Sequence, residues 1–496
     1  MSSIVINNCN ECTLDIPQKY ALKLYNELSI KHPNAFYLRG RIRGWDGKVH
    51  FLNKYGKFKI GLLPRVYQWC KSQKLKVNIL DKRLPIPKAK AVKSVGKFKL
   101  RPEQFNVLEK VLSNKVGTLP YYIGVLDLNV GFGKTLTMSA LYYSFGKKLK
   151  TLLITNDSDW LQQAKSEFKG YLPGENITFV QGSKVTNWSN FSIGMVQSIS
   201  RNIKTYQREL AKIDMVLVDE ADLAGSKSYQ SVLSHLYNTR VRLGLSGTIY
   251  VSKLKKDELK NMNLEAYFGQ KISEFRLKDS IKRGYSTNVI VKLVDTEPWY
   301  ISPDNGPKDY KAEYDRFITE NTLGYVCVLN RLKRSIKLGN IPALIVCKHI
   351  KHCENLYKYI SNALDGKYRI ACVHVNTDRA KRNYIMKKFR EGDIDILVST
   401  TIIARGKNFP KLRYMVNAAG MSSEEKTIQF LGRLVRLFEG KDKVYLDDIQ
   451  YNGPRYLSRH SKRRARYYRK EKLKVINLRK IWKKYNRYQY LYDLPF

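Results

Sequence analysis

Val130-Gly131-Phe132-Gly133-Lys134-Thr135 is a glycine-rich turn that closes on a lysine and a hydroxyl. Such a turn aims backbone N–H groups and one ammonium at phosphates, while the hydroxyl holds magnesium. Asp219-Glu220-Ala221-Asp222 places adjacent carboxylates behind the apolar run Met215-Val216-Leu217-Val218. The segment Gln429 to Arg436 sets Arg433 and Arg436 three residues apart, a spacing that puts both on one face of a helix. There they can meet charge developing on a transferred phosphoryl group. Each segment alone is a weak signal. In this order they predict a site for ATP and Mg2+ built from distant parts of the chain. Gly131, Gly133 and Lys134 are expected at the phosphates, and Thr135 and Asp219 at the metal. Glu220 is expected to orient or deprotonate the attacking water, with Gln429, Arg433 and Arg436 completing the catalytic set.

Elements able to position these groups follow from the apolar runs. Ile123 to Leu126, Leu152 to Ile154, Ile193 to Val196, Met215 to Val218 and Leu243 to Leu245 are short, continuous and followed by polar residues, as buried parallel strands are. Candidate catalytic residues sit at their C-terminal ends, where open α/β sheets place ligands. A second set is expected at Ala343 to Cys347, Arg369 to Val373, Ile394 to Ser399, Met415 to Ala418 and Lys443 to Leu446, with Val289 to Val294 as a further strand at an uncertain join. The fold class is therefore α/β: two tandem doubly wound parallel-sheet domains, 96–285 and 286–450. A small α+β domain over 1–95 precedes them, linked through Pro85 to Gly96, and a basic helical tail over 451–496 follows.

Lys and Arg number 90 against 43 Asp and Glu, a formal net charge of +47. That excess points to a polyanionic partner held with strong salt dependence; a solubility surface is the plainer reading. Tyr37 to Leu52 alternates basic and apolar residues around glycines, a hairpin signal. Its Arg39, Arg41, Arg43, Trp45 and Lys48 would line a phosphate track with one stacking ring, or else form a charged edge strand kept from pairing. In the tail, cations interleave with tyrosines, and Val475, Leu478, Ile481, Trp482 and Tyr485 recur at helical spacing. Seven scattered cysteines make no disulfide framework, and Cys9-x-x-Cys12 lacks a second ligand pair for zinc. His349, His352 and Cys353 are expected at a strand end without metal. With no long apolar run and no secretory leader in view, a cytoplasmic setting without membrane contact is expected.

The ordered segments resemble the motifs of superfamily 2 helicases over about Leu100 to Asp448. The resemblance implies RecA-like domains, Gln104 as the adenine contact and Gly406 as a backbone contact to nucleotide. It implies nucleic-acid contacts at Asn156, Gln197, Lys348 and Thr400, and Ser246 and Thr248 as the motif that couples hydrolysis to strand separation. The literal Asp-Glu-Ala-Asp suggests the RNA-unwinding DEAD-box group. Ser246-Gly247-Thr248 and Gln429 to Arg433 depart from that group's usual segments. Arg41-Ile42-Arg43-Gly44-Trp45-Asp46-Gly47-Lys48 is instead similar to the N-terminal domain of phage recombination and repair helicases of the UvsW type, near the XPB branch. This likeness implies an ATP-dependent DNA helicase or translocase acting on single-stranded, duplex or branched DNA and on R-loops in recombination, repair and replication. An RNA helicase and a non-enzymatic nucleic-acid scaffold are the alternatives.

Overall fold

The computed structural model describes residues 2–478 apart from Arg43, Val130, Ser183, Lys184, Thr186 and the stretches 250–256, 297–308 and 405–408. The chain divides into two compact units, Met1–Phe275 and Arg276–Phe496.

The first unit opens with a four-stranded mixed sheet in which Ser2–Ile6 pairs antiparallel with Glu11–Asp15 and parallel with Val77–Asp81. Helices Gln18–Glu27 and Leu63–Ser72 accompany it. Its core, with Ile4, Ile6, Cys12, Leu24, Phe58 and Val66, continues into Tyr121, Ile123 and Ala266 of the following layer. Polar contacts reinforce the join. Arg65 makes a forked pair with Glu265 at 2.8 and 2.6 Å, the buried Arg242 donates to Asn10 Oδ1 at 2.7 Å, and Tyr121 donates to the carbonyl of Ile60 at 2.8 Å. Gly61 is pressed against the next layer: a Cβ there would lie 2.1 Å from the carbonyl oxygen of Glu265. The segment 1–95 thus packs within the same unit as the large sheet.

That sheet has seven strands, in the order Ile177–Val180, Phe191–Met195, Thr151–Thr155, Met215–Asp219, Val241–Ser246, Ile123–Leu128 and Lys271–Phe275. Every pairing in it is parallel. The interior strands match the apolar runs of the sequence. The two edge strands carry polar residues on half-exposed faces and give no continuous run to read.

The second unit repeats the plan. Its seven-stranded sheet runs Ile370–Val373, Ile396–Thr400, Ala343–Cys347, Tyr414–Asn417, Lys443–Gln450, Asn288–Asp295 and Lys474–Asn477. The strand at the uncertain join pairs with Lys443–Gln450 over its whole length, so it belongs here.

Three local expectations are corrected. The hairpin expected from Tyr37 onward does not form: Ala35–Arg39 is a short helix, and Lys48–His50 pairs instead with Ser29–Lys31. Glycines with positive φ at Gly44 and Gly47 turn the chain between them. In the tail, Val475 lies in an edge strand rather than a helix, because Lys474–Asn477 finds an open partner in Asn288–Asp295; residues 479–496, with Ile481, Trp482 and Tyr485, lie outside the described residues. His352 and Cys353 lie in the helix Ile350–Leu364 rather than at a strand end, with His349 as its cap. Among the described residues, no helix is long and apolar enough to cross a membrane.

The amphipathic helix of the basic segment is Arg455–Lys470, which buries Leu457, Ser461, Arg464, Ala465 and Tyr468 along one stripe. Arg464 is fully buried against the fully buried Asp448, with Nε 2.9 and 3.0 Å from its two oxygens. Its other nitrogens donate to the carbonyls of Met421 at 2.7 Å and Ile449 at 2.8 Å. Removing one partner of such a pair strands a buried charge, which costs about 3–5 kcal/mol. Arg464→Met is therefore expected to destabilise the second unit by about that amount, while Arg466→Met at an exposed position of the same helix changes stability by less than about 0.5 kcal/mol; urea unfolding of both variants checks the contrast.

Candidate nucleotide and nucleic-acid sites

Strand Ile123–Leu128 is buried throughout and delivers the chain to Asn129, whose N–H donates to the carbonyl of Phe275 at 3.0 Å. Phe132 anchors the turn, buried against the ring of Phe275 at 5.0 Å. Gly131 and Gly133 both have positive φ, +85° and +84°. At Gly133 a Cβ would also lie 2.6 Å from Gln104 Nε2, so a side chain there would have to push that amide aside. Helix Lys134–Ser144 starts at once, so its first N–H groups face the turn. Two residues brace the turn from outside. Arg101 donates to the carbonyl of Gly131 at 2.9 Å. Gln104, 2% exposed, donates to the carbonyl of Phe132 at 2.9 Å and accepts from the N–H of Arg101 at 2.9 Å.

Lys134 Nζ lies 3.9 Å from Asp219 Oδ1. Asp219 ends the strand Met215–Asp219, and Oδ1 is buried without a hydrogen bond. Burial pushes its carboxyl above the usual range, and the Lys134 ammonium pulls it back only in part. A buried carboxylate oxygen short of positive charge, with the half-buried Thr135 on the first helical turn, is a donor set that fits Mg2+. Among the described residues, no group of three or more His, Cys, Asp or Glu side chains gathers as a metal site of its own. Glu220 takes the left-handed conformation, φ +52° and ψ +47°, rare for a residue with a side chain. Strain of this kind is concentrated at functional positions.

Asp222 is a functional candidate that spacing alone did not isolate. It is 4% exposed, and its Oδ1 accepts from Ser246 Oγ at 2.7 Å. Ser246 Oγ is also 3.1 Å from Thr248 Oγ1 and accepts from the N–H of Thr248 at 3.3 Å. Gly247 between them packs onto the start of the glycine turn, where a Cβ would lie 3.0 Å from Asn129 Cα. A continuous set of contacts therefore joins the carboxylate segment, Ser246-Gly247-Thr248 and the glycine turn. The signal for Asp222 was the fourth place of Asp-Glu-Ala-Asp, one residue into a short helix that turns it back to the sheet.

Asn156 and Gln197 follow the neighbouring strands Thr151–Thr155 and Phe191–Met195, and Gln197 Nε2 reaches the carbonyl of Asn156 at 3.5 Å. Asn156 Oδ1 and Gln197 Oε1 are buried with no hydrogen-bond partner. In the N-terminal layer, Arg41 and Lys48 are exposed. The indole of Trp45 is half-buried, donates to the carbonyl of Lys48 at 2.8 Å and meets His32 edge-on, so it holds the turn. Arg43 lies outside the described residues.

In the second unit, Lys348 and Thr400 stand at the ends of adjacent strands whose register pairs Cys347 with Thr400. The Lys348 ammonium sits 3.9 Å from the centre of the Tyr310 ring. Burial and the neighbouring Lys426 lower its pKa. Gln429 and Arg433 lie on helix Glu424–Leu434, capped by Ser423. Arg436 does not share that helix, which corrects the one-face expectation. The buried Leu434 and Val435 end the helix in the core, and the chain is then tied down by backbone bonds. Lys441 Nζ donates to the carbonyls of Arg436 at 2.7 Å and Pro410 at 2.8 Å. Gly406 lies outside the described residues.

Comparison with known proteins gives two family matches: residues 97–251 to the type III restriction enzyme, res subunit, and residues 328–438 to the helicase conserved C-terminal domain. The ATP-dependent DNA helicase UvsW of Enterobacteria phage T4 is 23% identical over 479 residues, spanning 89% of this chain and 93% of that protein. Among solved structures, the ATP-dependent type ISP restriction-modification enzyme LlaBIII bound to DNA is similar with a TM-score of 0.56 and 13% identity over 83% of this chain and 36% of that one. Dbp5 of S. cerevisiae bound to RNA and ADP BeF3 is similar with a TM-score of 0.51 and 14% identity over 79% of this chain and 99% of that one. At these identities the likeness to the two structures is one of fold.

Lys441 supplies a test of the segment that fixes Arg436. It is 4% exposed, and burial, with Arg413 and Arg436 nearby, pushes its ammonium down to about 7. Above that value the folded chain releases a proton that the unfolded chain keeps until the ordinary lysine range. This group therefore makes stability rise as pH climbs from about 7 towards 10. Thermal melts across that window are expected to show the rise in the wild type and a flatter profile in Lys441→Met.

Proposed function

We propose, from the premise that this chain belongs to the superfamily 2 helicases, that it is an ATP-dependent motor on DNA that remodels branched intermediates or R-loops. The observation that carries the reading is the meeting of Lys134 and Asp219, 3.9 Å apart at the carboxyl edge of a fully parallel sheet behind a glycine turn. Lys134 and the N–H groups of the turn are assigned to the ATP phosphates, and Gln104 to the adenine side of that turn. Thr135 and Asp219 would hold Mg2+, which neutralises phosphate charge when bound. Glu220 orients or deprotonates the attacking water. Arg433 and Arg436 are assigned to the charge that develops on the transferred phosphoryl group, with Gln429 on the same helix as Arg433 and Gly406 at the nucleotide.

Ser246, Thr248 and Asp222 are assigned to coupling, because their hydrogen bonds join the hydrolytic carboxylates to the strand that follows. Asn156, Gln197, Lys348 and Thr400 are assigned to the nucleic acid from their places at strand ends. Arg41, Arg43 and Lys48 add duplex or branch contacts from the N-terminal layer, and Trp45 supports them by holding their turn. DNA is favoured over RNA because the similarity to a DNA helicase runs over 89% of the chain and so beyond the two matched motor segments.

ATP hydrolysis by the wild type and Glu220→Gln tests this reading, measured alone and with single-stranded DNA, duplex DNA, a four-way junction and RNA at one salt concentration. Stimulation by DNA, strongest with the junction and abolished in Glu220→Gln, is expected. Stimulation by RNA alone would select an RNA helicase, and no hydrolysis under any condition would leave a binding scaffold. Ser246→Ala removes the hydrogen bond that Ser246 Oγ donates to Asp222 Oδ1, a loss of about 1–3 kcal/mol. It is expected to keep most of the ATPase while lowering strand displacement per ATP about tenfold or more, which parallel ATPase and unwinding assays check.

A further inference from the structure

The N-terminal layer presents two aromatic rings to solvent where its cations gather. Phe36 and Tyr37, on the short helix Ala35–Arg39, are 87% and 76% exposed, the highest values among the large exposed apolar side chains of the described residues. Their rings touch each other edge to face, with centroids 5.5 Å apart. Folding gains nothing from rings left in water; the buried residue of this helix is Ala35. Lys31, Arg39, Arg41 and Lys48 of the same layer are exposed, and Arg39, on the helix that carries the rings, donates to the carbonyl of Asp46 at 2.5 Å. Lys31 and Lys48 face each other directly across the antiparallel pair Ser29–Lys31 and Lys48–His50. Like charges in that register repel unless an anion lies over them. Asp46 is the one acidic residue from 31 to 50, and it is engaged by His50 at 3.1 Å and by the N–H of Lys48 at 2.9 Å.

Exposed aromatic faces beside unneutralised cations match a nucleic acid whose bases are unstacked: phosphates meet the lysines and arginines, and base faces meet the rings. A continuous duplex offers phosphates but no free base face. From this juxtaposition we propose that Phe36 and Tyr37 form a base-stacking site that distinguishes unpaired or junction-end bases from closed duplex. The inference deepens the DNA-motor reading and rests on it. It moves the stacking role from Trp45, whose indole is held by Lys48 and His32, to the two rings that are free to take it.

The test measures fluorescence anisotropy of the full chain without nucleotide, using a labelled single-stranded oligonucleotide and a forked duplex with unpaired arms, and competition by a closed circular duplex. Phe36→Ala/Tyr37→Ala is expected to bind the first two about tenfold more weakly, within the range for loss of base–aromatic stacking. It should bind the circular duplex within about twofold of wild type, with an unchanged salt slope, because stacking releases no counterions. Arg41→Ala should weaken all three ligands and lower the salt slope by about 0.7–0.9. Phe36→Trp should keep wild-type affinity, with emission quenched by the oligonucleotide. A larger loss on the fork than on the single strand places the rings at the branch; equal losses place them on the unpaired strand.

Wild-type affinity of the double alanine variant for both open ligands overturns the inference, as does an equal loss on the circular duplex. A change in self-association with no change in DNA affinity also overturns it and makes the rings a contact between copies of the chain. Both positions are exposed, so the variant should melt like wild type. If wild type binds DNA and hydrolyses ATP under its stimulation while the variant binds equally well, this inference fails alone. If wild type does neither, the reading of function fails and takes this inference with it.

Discussion

Every strand in each of the two large sheets runs the same way, so all their carboxyl ends share one edge, and side chains far apart in sequence become neighbours there. Register makes this quantitative. Asp127 stands opposite Ser246, Asp219 opposite Leu245, Thr155 opposite Met195, and Cys347 opposite Thr400. Lengthening any of these strands by one residue would advance the following side chain by about 3.3 Å and turn it to the other face. The distance from Lys134 to Asp219 and the hydrogen bond from Ser246 to Asp222 both depend on strands stopping in line.

Buried polar groups then fix which side chains are free to act. In the first unit Asp222, Ser246 and Thr248 satisfy one another in a place that excludes water, where an unpaired donor or acceptor would be costly. In the second unit Arg464 and Asp448 do the same for the helix of the basic segment. Arg331 and Asp447, 2.6 Å apart, clamp the helix Thr322–Lys337 to the sheet. Arg242 is buried so completely that its guanidinium is pushed down to about 10. A formal charge of +47 is thus not a count of nucleic-acid contacts. Part of it is framework, and the cations left at the surface carry the attraction to a polyanion.

This division also explains what could be read from the residues. Interior strands were legible because burial on both faces demands unbroken apolar runs such as Met215 to Val218. Ile177–Val180, Lys271–Phe275 and Lys474–Asn477 were not, because each lies at a sheet edge and carries polar residues. The glycine turn was legible because positive φ at Gly131 and Gly133 leaves little choice of residue. Arg436 was misplaced by helical spacing because that spacing says nothing of where a helix stops. Here the core takes Leu434 and Val435 and turns the chain before Arg436. Trp45 looked like an exposed ring because sequence gives the ring but not its neighbours, Lys48 and His32. Val475 kept a helical period by coincidence, and its backbone found an open strand.

Attachment of the N-terminal layer bears directly on how force would reach a nucleic acid. A domain on a flexible tether can hold a ligand but cannot push it, because the tether absorbs the displacement. Here the layer shares one apolar core with Tyr121 and Ile123, the latter the first residue of the strand that ends at the glycine turn. The Arg65–Glu265 fork and the bonds from Tyr121 to Ile60 and from Arg242 to Asn10 cross the same join. Gly61 leaves no room for a side chain there, which removes the slack that a looser interface would have. Close-packed interiors transmit strain rather than dissipate it. Nucleic acid held beside Ala35–Arg39, as proposed, would therefore be carried with the glycine turn as part of one body, and a displacement of that body would be delivered to it.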